Sequence, residues 1–182
     1  MTTTDQSDIT FEGLDTLITD ELRAAAAAQL TDLTNTVLAA VPGLQRQAMT
    51  VPEGAAAVES LGDEEAGVGR AIALLDAIHP PQGQPADPAW WSTPLGVVCS
   101  AALARCSDEQ AAALAPVTIS HMAGVLDVVQ GTVHSIVARN CIPRPVGDPG
   151  SRSFDARGAH REGVRLRIQR AQGHDRRRTK KP

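Results

Sequence analysis

Between Gln130 and Arg139 the chain sets an amide, two hydroxyls, an imidazole and a guanidinium (Gln130, Thr132, Ser135, His134, Arg139) around three apolar residues, Val133, Ile136 and Val137. Groups of this kind do recognition chemistry rather than bond-breaking. An amide pairs bidentately with adenine, while hydroxyls and a guanidinium donate to phosphates or base edges. Gly131 lets a partner approach the backbone closely. His134 points the same way, beside the plainer reading of an exposed helix residue that titrates without consequence. Catalytic patterns find no support. There is no Gly-rich phosphate loop, no HExxH and no GxSxG, and the His residues and carboxylates are scattered. The acidic cluster Asp63-Glu64-Glu65 falls at an expected helix start, where negative charge favours the dipole. Cys99, Cys106 and Cys141 form no CxxC pair and have no His at zinc-like spacing, so neither a disulfide framework nor a metal site is expected. The reading is of a non-enzyme with no cofactor.

Charge sharpens that reading. Thirteen of the seventeen Lys and Arg residues lie from Arg139 onward, where they face four acids for a balance of +9; Met1 to Ala138 carries a balance of −13. A cationic half gains affinity for a polyanion because each neutralised phosphate releases condensed counterions. The expected partner is double-stranded DNA. Interleaved aromatics, which readers of single-stranded RNA generally need, are missing around the arginines.

These residues need elements to position them. Alanine supplies 29 residues and aromatics only four, which favours helices over a bulky sheet core. The expected fold is mainly α: an N-terminal helical hairpin or dimerisation helices, then a small winged helix-turn-helix domain and a basic C-terminal tail. Residues 1–10 read as a frayed start and 11–79 as the helical region. There, Leu14, Leu17, Ile18, Leu22, Leu30, Leu33, Val37 and Val41 mark one face of a long helix ending near Pro42-Gly43. That stripe must bury either against the stretch Asp63 to His79 or against the same helix of a second copy, a homodimer through residues 11–41. Thr50 to Leu61 adds a short helix with Pro52 in its first turn. Prolines and Gly83 make 80–89 a linker, with a domain boundary near Gln84. Residues 90–157 form the reader domain, opened by Trp90 and Trp91, which read as packing residues more than as a platform for stacking bases. Thr93-Pro94 follows as cap and first turn of an apolar helix. Residues 158–182 form the tail, in which Val164 to Ile168 alternates as a strand with an arginine face.

The centre of the reader is the string Thr118 to Arg144. Thr118 caps a helix from Ile119 to Leu126, Asp127-Val128 turns, and Gln130 to Arg139 forms the second helix with Gln130, Gly131, His134 and Ser135 outward. MAGVLDVVQGTVHSIVARNCIPR resembles the helix-turn-helix of bacterial regulators, and most of all the winged version of the excisionase-like and MerR-like families. Ala123, Leu126, Val128, Gly131, Thr132, Val133, Ile136, Arg139, Ile142 and Pro143 carry the likeness. Two residues depart from it: Asp127 replaces the usual turn glycine, and Val129 stands where a capping Ser is common. Asp tolerates positive φ, so the turn survives. Ile142 to Val146, the Asp148-Pro149-Gly150 turn and Ser151 to Phe154 are expected to pair as a hairpin wing that projects Arg144 and Arg152, with Phe154 pinning it.

The resemblance implies a DNA-binding regulator of bacterial or phage type whose base contacts come from Gln130, Gly131, Thr132, His134 and Ser135. Thr118, Arg139, Arg144 and Arg152 would meet the backbone. Two alternatives stay open: an adaptor, such as an antitoxin or a phage or plasmid accessory factor, whose N-terminal helices bind a protein, and a nonspecific nucleic-acid binder. A polar, acidic start and the lack of an eighteen-residue apolar run predict a cytoplasmic protein without a membrane span.

Overall fold

A computed structural model of the chain describes residues 12–40, 47–64, 66–80, 83–140, 142–144 and 152–178, with backbone alone at 140 and 174–178. Expectations for residues 1–10, for the Asp148-Pro149-Gly150 turn and for the last four residues lie outside that set. Within it the fold is mainly helical, with one two-stranded antiparallel sheet.

Side-chain caps set the helix starts. Thr50 and Glu53 exchange bonds ahead of α3 (Val51–Ser60): Glu53 Oε2 accepts from Thr50 N at 2.7 Å, and Thr50 Oγ1 accepts from Glu53 N at 3.4 Å. Thr93 accepts from Gly96 N at 3.2 Å, and Pro94 opens α5 (Pro94–Leu103) as the sequence predicts. Ser107 and Gln110 box the start of α6 (Asp108–Ala113), an element the periodicity did not announce.

The long N-terminal helix is interrupted. A single turn, α1 (Leu14–Leu17), ends at Ile18, and α2 (Asp20–Ala40) starts afresh because the Thr19 hydroxyl accepts from Leu22 N at 3.2 Å. The stripe of α2 buries within the chain, but against α3 and α5 rather than against 63–79. Gly54 makes that crossing close: a Cβ there would stand 2.3 Å from Thr31 Oγ1. The expected second stretch forms α4 (Gly67–Ile78), which packs on α5 instead.

Helix α5 is the axis of the molecule, with every residue from Leu95 to Leu103 buried. One apolar cluster runs from Ala26 through Leu30, Val58, Leu75 and Trp91 to Phe154 and Ala159. It passes without a break across the proline-rich segment, so the boundary expected near Gln84 does not divide the core. Trp91, 4% exposed on the 3-10 turn Pro88–Ser92, is a packing residue.

Two expectations for the C-terminal half are corrected. Ser153 and Phe154 form β2 (Ser153–Phe154), but its partner is β1 (Val117–Thr118), with Val117 opposite Phe154 and Thr118 opposite Ser153. Of the expected wing strand, residues 142–144 are described and form no strand; 145–151 lie outside the described residues. Prolines 143 and 145 lack ladder donors, and Val117 offers Phe154 an apolar partner. The alternating stretch Val164 to Ile168 is no strand; it lies inside α9 (Ala156–Arg178), which packs on α5, α7 (Ile119–Leu126) and α1. The tail from 158 is thus part of the fold as far as its described side chains extend.

Candidate nucleic-acid interface

The candidate interface is built on α7 and α8 (Gln130–Asn140), at the expected boundaries to within a residue. Helix α7 stops because Asp127 adopts φ 55° and ψ 53°, the left-handed conformation the turn demands. Val128 N then donates to Ala123 O at 2.9 Å. The Asp127 carboxylate braces this corner from two sides: Oδ1 accepts from Ser92 Oγ at 3.1 Å, and Oδ2 from Arg170 at 2.6 Å. A glycine in its place would supply φ without either brace.

From that corner α8 runs with one face in the core. Val133 is fully buried, and Ile136 and Val137 pack against the main cluster. The opposite face carries Gln130, Gly131, His134, Ser135 and Arg139, all exposed, while Thr132 is half-buried. Arg139 Nε donates to Ser135 O at 3.2 Å, which lays the guanidinium back along its own helix. No acid stands in the first turn of α8, so the partial positive charge of its N-terminus is not answered there.

A second group forms at the sheet. Thr118 occupies the cap position of α7, but its hydroxyl bonds to Ser120 Oγ at 2.9 Å instead of to a backbone N–H. Arg152 is exposed beside Ser153, the strand partner of Thr118. Asp155 N donates to Pro143 O at 2.9 Å, drawing the 142–144 segment to the same edge. Arg144 is exposed there with its guanidinium 4.8 Å over the Phe154 ring, and Phe154 is buried as its pinning role requires. The nine expected site residues thus fall in two clusters, one along α8 and one at the β1–β2 edge.

Sequence reasoning missed three residues that shape the region and noted a fourth, Val129, only as an absent cap. Gly124 has no room for a side chain, since a Cβ would meet Pro88 O at 1.8 Å; Ala123, the expected small contact, is only half-buried. Arg167, 6% exposed, donates to Trp91 O at 3.1 Å, to Gly124 O at 3.0 Å and to Val125 O, which ties α9 to the end of α7. Arg170 pairs with Asp127 and adds Leu126 O at 2.9 Å. Val129, just before α8, is 75% exposed, an apolar side chain on a polar face. Of these, only Val129 left a signal, as an aliphatic where a cap was due.

Behind the interface, Ser100 Oγ lies 2.8 Å from His160 Nδ1. Both side chains are buried. The Cys99 thiol is pushed up by burial to about 12 and that of Cys106 to about 11, which holds both as thiols. Among the described residues no three His, Cys, Asp or Glu side chains come together as a metal site, and no helix is long and apolar enough to cross a membrane. No family model, curated protein or solved structure matches the chain.

Proposed function

We propose that the chain is a sequence-specific DNA-binding protein, a transcriptional regulator that reads the major groove with α8. The observation that carries this reading is the two-sidedness of α8. Val133 is locked in the core, while Gln130, Gly131, His134 and Ser135 stand clear of it on a helix aimed by the Asp127 corner. In such a docking the N-terminal residues of the second helix lie nearest the base edges. Gln130 is then the adenine reader, and exposed Val129 offers an apolar surface to a thymine methyl. A Cβ at Gly131 would meet nothing within 4 Å, so the fold itself places no demand on that glycine; a closely approaching nucleic acid does. Arg139, Arg144 and Arg152 set register on phosphates.

The test is selection of duplexes from a random pool by the full chain at about 150 mM salt. We expect an enriched motif that the Gln130→Ala, His134→Ala double variant loses. Equal, motif-free binding by both proteins would overturn the reading. Gly131→Ala, run beside them, should raise stability by up to about 1 kcal/mol through helix propensity yet weaken motif binding. The adaptor reading draws on Val37, 54% exposed near the end of α2, and Val51, 67% exposed at the start of α3, which Asn35 joins through its bonds to Met49. It predicts a defined heteromeric complex that Val37→Asp breaks.

A further inference from the structure

From Val128 to Ala138 the chain carries no Asp, Glu, Lys or Arg, so the first turns of α8 expose no carboxylate, ammonium or guanidinium. The nearest acid, Asp127, is held by Ser92 and Arg170, and the nearest cation, Arg139, lies back on Ser135 O. In the major groove guanine is read by a bidentate Arg or Lys, and cytosine by a carboxylate. The entrance of this helix offers neither. It offers an amide, Gln130, which can take adenine N6 and N7 together, and an aliphatic, Val129, which can pack on the thymine C5 methyl. His134 and Ser135 can donate to purine N7, which adenine and guanine share, so they do not choose between the pairs.

Val129 and Gln130 stand where one base pair, or two stacked neighbours, can meet both. Val129 O accepts from Thr132 N at 2.9 Å, which holds Val129 at the first turn with its side chain exposed, and Gln130 is exposed beside it. Consecutive Cα atoms are about 3.8 Å apart, close to the ~3.4 Å step between stacked pairs. Gly131 follows with no side chain to crowd them. An A·T pair shows its C5 methyl and its N6–N7 edge in the same groove, and at both positions a base can carry a methyl group or lack one. We propose that the entrance of α8 reads the methyl state of an A·T pair, requiring the thymine C5 methyl and an adenine N6 that bears none. In a duplex one adenine N6–H pairs with thymine O4 and the other faces the major groove. N6-methyladenine keeps the paired N–H, so its methyl takes the groove position. It removes the donor to Gln130 Oε1 and leaves that oxygen facing carbon. The inference rests on the DNA-binding reading and adds to it that the covalent state of a base, as well as its identity, governs binding.

The test takes the full chain and the duplex it selects, remade with N6-methyladenine at one adenine at a time and with deoxyuridine at one thymine at a time. One methylated adenine should weaken binding about 10- to 100-fold, the discrimination of a bidentate amide. Gln130→Ala should bind that duplex and the plain one alike. At the same pair or its neighbour, deoxyuridine should weaken binding about three- to five-fold, as loss of one buried methyl does, and Val129→Ser should erase the difference. Both side chains are exposed, so both variants should keep the fold, which thermal melts beside the wild type check. A selected motif in which no adenine responds to methylation, or a response that Gln130→Ala retains, overturns the inference and leaves the DNA-binding reading standing. Deoxyuridine tolerated at every thymine of the motif overturns it likewise. Absence of any motif sinks the DNA-binding reading and this inference with it.

Discussion

His160 shows how far a single buried side chain bends the behaviour of this fold. It stacks edge-on against Trp91 at 4.8 Å, bonds to Ser100 and lies near the Arg167 guanidinium. Burial first, and the neighbouring positive charge second, lower its pKa from 6.5 to about 3. The unfolded chain therefore takes up the proton more readily than the folded one. Stability from this group is complete above pH 6.5 and is lost as pH falls from there toward 3, by up to about 1.4 kcal/mol per pH unit. Urea unfolding of the wild type should lose about 2 kcal/mol more than His160→Gln between pH 7 and pH 5. Identical pH dependence of the two would mean that His160 is protonated in the folded protein. Nothing in the sequence marks this histidine, whereas Asp127 was legible: only a few residue types tolerate the left-handed turn, and Asp is one of them.

At the scale of elements, legibility followed the length and purity of the signal. Thr93-Pro94, the short helix opened by Pro52 and the α7–α8 pair were readable because caps, first-turn prolines and three-four spacing act locally. Strands of two residues carry almost no period, so the pairing of β2 with β1 across more than thirty residues had no sequence signature. Helix α9 was hidden for a different reason. Its buried positions are Ala156, Ala159, His160, Gly163, Val164, Arg167 and Ile168, a clean helical stripe in which a histidine, a glycine and an arginine interrupt the apolar pattern. Only Val-Arg-Leu-Arg-Ile stood out, and its alternation imitates a strand. Gly163 lets α9 cross α7 closely, since a Cβ would stand 2.3 Å from Val125 O, and Arg167 answers the carbonyls at that crossing. Arg167→Met leaves the Trp91, Gly124 and Val125 carbonyls without their charged donor and should destabilise by about 3 kcal/mol. Arg165→Met, which removes a half-exposed partner of the mostly buried Glu162, should cost no more than about 1 kcal/mol. Equal losses in thermal or urea denaturation would show that the α7–α9 junction does not depend on Arg167.

For the whole molecule, what matters is which cations stand exposed to a polyanion. The sequence offers thirteen in the C-terminal stretch, but on α9 five of them have partners within the fold. Arg157 pairs with Asp108, Arg161 donates to Ala104 O at 2.9 Å, Arg165 pairs with Glu162, Arg167 meets three carbonyls and Arg170 holds Asp127. Those five are engaged within the fold. The phosphate-facing set we propose is Arg139, Arg144 and Arg152, joined by about three cations of the run from Arg176 to Lys181. Six neutralised phosphates predict a slope of log K against log salt near −5, since each contributes about −0.9. Removing residues 176–182 should bring the slope to about −3 while leaving the selected motif unchanged, because phosphate contacts set affinity and α8 sets sequence. A full-chain slope near −12 would mean instead that all thirteen cations meet DNA and that α9 gives up its internal partners on binding. Arg167 and Arg170 could then no longer hold the Asp127 corner, and the aim of α8 would have to come from the DNA itself.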